Sequence, residues 1–360
     1  MRIVFVNNFA RGLGGGEQQL LLVMSGLQRR GLEIDLITSP NSELAHEAQC
    51  SGVNVVEANL AFHKSLSAVR LIKYVCDDTT DFVVGSGYWT NLLVGIVSLP
   101  FTTKRIALHQ SMPDSVTRQP ERSIRGLASR FSRVRFHGHI AISNAVKAGL
   151  LAEGIPEEII KVIYNGVDEP HESLPTPLRK NPVIGFLGRL EIVKGCDTFL
   201  RVLASVKKKH PTVQGRVAGD GSQRKHLENL RTKLGLHDTC HFVGPQNAYK
   251  FLANIDILLM PSRSEAFGLV AVEAQRVGVA VVAFDTGGIS ETLLSKKTTR
   301  LVHPGDISEM ISTLTSLVDT LPQLKDALAE NAETALNSFL PEESVEHYYD
   351  YFQKRCSNSS

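Results

Sequence analysis

Two carboxylates with seven residues between them, Glu265 and Glu273, stand in the otherwise apolar run Ser264-Glu265-Ala266-Phe267-Gly268-Leu269-Val270-Ala271-Val272-Glu273-Ala274. A lone buried carboxylate costs several kcal/mol unless something pairs with it, and the nearest basic residues, Arg263 and Arg276, lie outside the run. Carboxylates placed this way can accept hydrogen bonds from paired hydroxyls, and sugars and riboses carry such pairs. The stretch Ile255-Asp256-Ile257-Leu258-Leu259-Met260-Pro261 just before reads as a buried parallel strand. Glu265 therefore falls in the loop after a strand, and Glu273 one or two turns into the next helix. Open α/β sheets bind ligands in the crevice beyond the carboxyl ends of their strands. The same residues also admit a purely structural reading, in which Ser262 and Glu265 form an S-x-x-E capping box and Glu273 lies on a solvated helix face.

Further groups suited to an anionic ligand recur at strand ends. Gly185-Phe186-Leu187-Gly188-Arg189-Leu190-Glu191-Ile192-Val193-Lys194-Gly195 places Arg189 and Lys194 just beyond a strand, where two cations can clamp a diphosphate. After the first strand, Arg11-Gly12-Leu13-Gly14-Gly15-Gly16-Glu17 runs into a helix, and glycines there let backbone N–H groups approach phosphate at the helix N-terminus. That loop lacks the G-x-G-x-x-G spacing of a dinucleotide site and the Gly-Lys-Ser/Thr of a P-loop. Ala218-Gly219-Asp220-Gly221 and Phe242-Val243-Gly244 offer glycines where a backbone must turn or come close to a ligand. His109 ends the strand Arg105-Ile106-Ala107-Leu108 and is expected to point from the first domain towards the cleft. No D-x-D pair occurs anywhere in the chain, so a bridging Mg²⁺ has no obvious holder and no metal is expected.

These residues need elements to hold them. Runs Ile3 to Asn7, Glu33 to Thr38, Val53 to Glu57, Phe82 to Gly85, Arg105 to His109 and Ile140 to Ser143 read as strands alternating with helical patterns, which implies a parallel sheet. The pattern breaks at Asn165-Gly166-Val167-Asp168-Glu169-Pro170 and the Pro-rich piece Leu174 to Pro182, a linker by its turn chemistry. A second alternation follows, with strands Val183 to Leu187, Gln214 to Ala218, His241 to Val243, Ile255 to Met260, Ala280 to Phe284 and Arg300 to His303. After Pro341, Val345, Tyr348, Tyr349 and Phe352 recur at helical spacing. The expected domains are 1–168, a linker 169–182, a second domain 183–340 and a C-terminal helix 341–360. A chain of 360 residues is long enough for two cores.

With 42% hydrophobic and 21% charged residues and a formal charge of +2, the chain has the composition of a soluble globular protein and excludes a global polyanion binder, so no nucleic acid is expected as a partner. The start has too short an apolar run for a signal peptide, and no stretch reaches the roughly 18 apolar residues of a membrane span. A cytoplasmic location is expected. The five scattered cysteines, without a C-x-x-C pair, read as reduced thiols. Charge is concentrated locally. From Pro120 to Phe136, Arg122, Arg125, Arg130, Arg133 and Arg135 accompany Ile124, Leu127, Phe131 and Val134 on one face, a composition that suits either an anionic membrane surface or an ordinary helix with its arginines in water.

The Glu265 to Glu273 run closely resembles the Glu, seven residues, Glu motif of the retaining, nucleotide-sugar-dependent glycosyltransferases called family 4. The other matches follow in family order: Gly188 to Gly195 is similar to the G-R-x-x-x-x-K-G element, and the Gly15-Gly16 loop resembles the GG-x-E loop, with Gln18 where an Arg is common. The resemblance implies the α/β GT-B fold, two Rossmann-like parallel-sheet domains facing across a cleft, with the C-terminal helix crossing back to the first domain. It implies a UDP- or GDP-sugar donor and metal-independent, retaining transfer to a glycan or lipid-linked acceptor, as in cell-envelope polysaccharide or glycolipid synthesis on the inner membrane face. By the same resemblance Glu273 holds the ribose, and Glu265 the donor sugar, with Ala266, Phe267, Gly268 and Leu269 beside it. Arg189, Lys194, Gly15 and Gly16 meet the diphosphate, Val243 and Gly244 pass the base, and His109 contacts the transferred sugar. A sugar-nucleotide epimerase on the same fold and a non-catalytic sugar-nucleotide sensor remain as rival readings.

Overall fold

Ile257 and Leu259 face one side of their strand and Leu258 and Met260 the other, and all four are buried, in two separate apolar clusters. A strand apolar on both faces requires a layer of helices on each side, which is the arrangement of a parallel sheet. The computed structural model describes residues 1–8, 13–60, 65–97, 99–100, 102–113, 135–170 and 179–357. The chain divides into one unit of Met1–Gly166 with Leu340–Ser360 and a second of Val167–Phe339.

The first unit is built on β1 (Arg2–Asn7), β2 (Glu33–Thr38), β3 (Asn54–Glu57), β4 (Phe82–Ser86), β5 (Lys104–His109), β6 (Gly138–Ala141) and β7 (Ile160–Val162). They form one parallel sheet in the order β3-β2-β1-β4-β5-β6-β7. The second unit has β8 (Val183–Leu187), β9 (Gln214–Ala218), β10 (Cys240–Gly244), β11 (Ile257–Met260), β12 (Ala280–Phe284) and β13 (Thr299–Val302), parallel in the order β10-β9-β8-β11-β12-β13. In both sheets the winding reverses beside the first strand, between β1 and β4 and between β8 and β11. These are the topological switch points at which such sheets open a crevice for ligands. Each unit is thus Rossmann-like.

The sequence reading assigned six strands to the first unit, and β7 corrects it to seven. Ile160-Lys161-Val162 is a three-residue edge strand with a charge at its centre, too short to carry a period. The C-terminal helix Pro341–Ser357 belongs to the first unit. Phe352 packs on Phe82 at 5.0 Å, and a Cβ added to Gly26 would lie 2.4 Å from Val345, so glycine lets this helix approach the helix Gly15–Arg29. All five cysteines are free thiols. Of the arginine-rich segment only Arg135 and Phe136 belong to the described residues; Arg122, Arg125, Arg130 and Arg133 lie outside them.

Candidate active site

On one side of the switch point of the second sheet, the loops after β8, β9 and β10 are joined by their backbones. Gly188 N–H donates to Ala218 O at 3.1 Å, Leu190 N–H to Asp220 O at 2.8 Å and Gly219 N–H to Gly244 O at 2.9 Å. Gly219 adopts φ +127°, and a Cβ there would stand 2.0 Å from Gly188 O. The ends of β8, β9 and β10 therefore close on one another only because that position has no side chain. Val243 is exposed beside Gly244, which sits in a left-handed conformation next to an irregularity in the β10 register.

Arg189 leaves this edge exposed to solvent. Glu191, two residues on, accepts from Ser222 N at 2.9 Å and Ser222 Oγ at 2.7 Å, and these bonds hold its carboxyl below the usual range. The chain then makes the 3-10 turn Ile192–Lys194 and reaches Gly195 at φ +71°. A Cβ on Gly195 would lie 1.9 Å from Pro261 O, so this glycine lets the loop after β8 pack against the residue that follows β11. The result is that Lys194 Nζ meets Glu265 Oε2 at 2.5 Å, with the two side chains 23% and 13% exposed. Ser262 Oγ reaches the same carboxylate oxygen at 3.4 Å, and Gly288 N–H donates to Glu265 O at 3.0 Å. An ammonium has three donors, so a lysine bound to one carboxylate retains donors for an anionic ligand.

The helix that carries Glu273 runs Leu269–Arg276 and starts after Gly268, at φ +98° and ψ 47°, with no capping side chain. This excludes the capping-box reading of Ser262 and Glu265: the helix begins four residues beyond Glu265, and Ser262 bonds the Glu265 carboxylate itself. Glu273 is not on a solvated face either. It is part-buried, and its carboxyl is pushed up to about 7 by burial first and Asp168 second, against the pull of Arg276. Phe267 and Ala266 are buried, and the Phe267 ring meets Phe339 edge-on at 5.3 Å.

In the first unit the glycine loop and His109 stand at the ends of β1 and β5. The helix Gly15–Arg29 starts after Gly14, also with no capping side chain. Gln110, which sequence reasoning passed over, organises this place. Its Nε2 donates to Gly16 O at 2.8 Å and its Oε1 accepts from Ser86 Oγ at 3.0 Å. A Cβ on Gly16 would stand 3.0 Å from Gln110 Oε1, so the close approach itself favours glycine. The signal available was only that Gln110 follows His109 at a strand end. One ring nitrogen of His109, at the end of its strand, is engaged: Nε2 lies 3.0 Å from His139 Nδ1 on β6, with the rings stacked at 5.2 Å. Burial, then the neighbouring imidazole, pushes His109 down to about 3, and burial and Arg355 push His139 down to about 4. Both rings are neutral at ordinary pH, so His109 can serve as a hydrogen-bonding group and not as a charged acid.

Two family models tile the chain. That of the glycosyl transferases group 1 matches residues 171–335, and that of Glycosyltransferase Family 4 matches residues 13–170. A D-inositol 3-phosphate glycosyltransferase of Corynebacterium kroppenstedtii is 34% identical over 197 residues, which make up 52% of this chain and 43% of that relative, less than two thirds of its length. Another protein of that name, from Mycolicibacterium smegmatis, is 27% identical over 361 residues, 89% of this chain and 82% of the relative. Among solved structures, HepE of Anabaena in complex with UDP and glucose matches with a TM-score of 0.84 at 21% identity, over 98% of this chain and 100% of that one. That likeness establishes the fold as GT-B.

Proposed function

We propose that this chain, which belongs to the group 1, family 4 glycosyltransferases, moves a sugar from a nucleotide-sugar donor to a hydroxyl of its acceptor with retention of configuration. The observation that carries this reading is the Lys194–Glu265 pair, held at 2.5 Å at the switch point of the second sheet. A diphosphate-linked sugar complements both partners. The ammonium turns to the diphosphate, and the freed carboxylate accepts from sugar hydroxyls. Arg189, exposed on the same loop, adds a second positive charge, and Glu273 takes the ribose hydroxyls when ionised. Charge developing on the departing diphosphate is then stabilised by protein cations aimed at it, so transfer proceeds without a metal. No side chain of the site serves as a covalent nucleophile in this scheme. The leaving group departs and the acceptor attacks on one face, with Glu265 and the neutral His109 positioning the donor sugar.

HepE, of the same fold, has been solved with UDP-glucose, which supports a UDP-sugar as the first donor to test. The relatives named for D-inositol 3-phosphate make an inositol phosphate a further acceptor class to test beside glycan and lipid-linked acceptors. A thermal-shift screen of UDP-, GDP- and ADP-sugars decides the donor, since a ligand at 100 times its dissociation constant adds about 2.7 kcal/mol to apparent stability. Incubating the stabilising donor with each acceptor class, and reading the anomeric configuration of the product by NMR, tests transfer and retention. An inverted product, or donor consumption that needs no acceptor, would refute the proposal. No helix among the described residues is long and apolar enough to cross a membrane. Attachment to the inner membrane face therefore rests on the Arg122 to Arg135 segment, and loss of liposome binding on raising salt is its test.

A further inference from the structure

Arg276, three residues beyond Glu273, is 3% exposed, and its charge faces backbone carbonyls. Nε donates to Ala335 O at 3.1 Å, Nη1 to Val167 O at 2.6 Å and Asp168 O at 2.9 Å, and Nη2 to Ser338 O at 2.8 Å. A desolvated guanidinium is costly unless its donors are filled, and its planar fork fixes the acceptors that fill them. Those acceptors share one property. Val167 and Asp168 are where the chain enters the second unit, and Ala335 and Ser338 are just before it leaves at Phe339.

The two crossings are tied to each other, and the first of them to the helix Ala248–Leu252, by further bonds. Val167 N–H donates to Phe339 O at 2.8 Å, and Tyr249 Oη donates to Asp168 O. Phe339 itself is held at φ +55°, a left-handed conformation that costs a bulky residue and persists only where its surroundings impose it. The ring of Phe267, inside the Glu265 to Glu273 run, stands edge-on against it.

We propose that Arg276 is a positioning residue which, with Phe339 as a second brace, locks both crossings to the segment carrying Glu265 and Glu273, so that a nucleotide seated there is felt where the chain enters and leaves the second unit. The inference rests on the reading of Glu273 as the ribose ligand. Hydrogen exchange of the full chain, with UDP as probe, tests it in wild type, Arg276→Met and Arg276→Lys. Without nucleotide, Arg276→Met speeds exchange of the Val167 amide and of 335–340 together by roughly tenfold or more while β8 and β11 keep their protection. Arg276→Lys, which keeps the charge without the fork, falls between. With UDP, wild type gains protection at both crossings, and in Arg276→Met the gain stops at the 265–276 segment. Equal exchange at the crossings in wild type and Arg276→Met, or UDP protection reaching them undiminished in that variant, overturns the tie. Failure of UDP to protect 265–276 in wild type refutes instead the donor-site reading, and the nucleotide-free comparison still decides the tie. Should Arg276→Met not fold, Phe339→Leu, which removes the ring contact and keeps the bulk, carries the same comparison.

Discussion

Lys194 and Glu265 hold each other at 2.5 Å, and in the proposed function each exchanges that partner for a ligand group. Lys194→Ala and Arg189→Ala are each expected to lower turnover by roughly 10²-fold, the scale of losing one donor aimed at developing charge. Both variants should stay folded by circular dichroism, and wild-type turnover in either would contradict the diphosphate role. Glu273 titrates at about 7 because burial and Asp168 outweigh Arg276, so a pH dependence follows. Below that value the carboxyl is protonated and can no longer accept from both ribose hydroxyls, whereas above it the carboxylate accepts both. UDP affinity is expected to fall as pH drops through 7, by up to about tenfold per unit for one linked proton. Calorimetric titration over about three pH units around neutrality checks this against Glu273→Gln. That variant removes the group and leaves the nucleotide's own titration in place. An identical pH slope in the two proteins would assign the effect elsewhere. Glu265→Ala should spare UDP binding and damage use of the intact donor, since its proposed partners are sugar hydroxyls.

At the scale of elements, the proposed donor site depends on loops that pack without side chains between them. Gly195 joins the loop after β8 to Pro261 after β11, and it is held by both its φ of +71° and the 1.9 Å that a Cβ would have to Pro261 O. Gly195→Ala is expected to destabilise the second unit by about 2 kcal/mol or more, combining left-handed strain with displacement of that carbonyl. Scanning calorimetry should show its transition lowered by about 4–8 °C, with Lys194 drawn off Glu265 and donor binding weakened alongside. An unchanged transition would mean that the loop has room the geometry denies it. The helix Leu269–Arg276 carries Glu273 and, one turn on at its end, Arg276 held against four carbonyls, so the proposed ribose ligand and the anchor lie one turn apart.

For the whole molecule, the expected chemistry is charge stabilisation by Lys194 and Arg189 in place of a metal. Activity is therefore expected to persist in excess EDTA, measured as donor consumption with acceptor present. Complete loss that Mg²⁺ or Mn²⁺ restores would refute it. Much of this molecule was legible in the sequence because its signals are local. Alternating apolar runs mark strands buried on both faces, glycines mark turns and close approaches, and Arg189, Lys194, Glu265 and Glu273 lie at strand ends or one helical turn beyond, where their order along the chain already places them. Only the tertiary structure decided which of them meet. Lys194 and Glu265 are 71 residues apart and come together because β8 and β11 are neighbours at the point where the sheet reverses. His109 pairs with His139 through the register of β5 and β6, and that contact, with burial, removes its charge. The roles of Gln110 and Arg276 were not legible for the same reason: a glutamine and an arginine carry no periodic signal, and the partners that define them, Gly16 O and Ser86 Oγ for Gln110 and four backbone carbonyls for Arg276, are brought to them by the fold. Strand β7, with β-branched Ile160 and Val162 around Lys161, has strand propensity but is too short to carry a period, and its pairing with β6 is what reveals it.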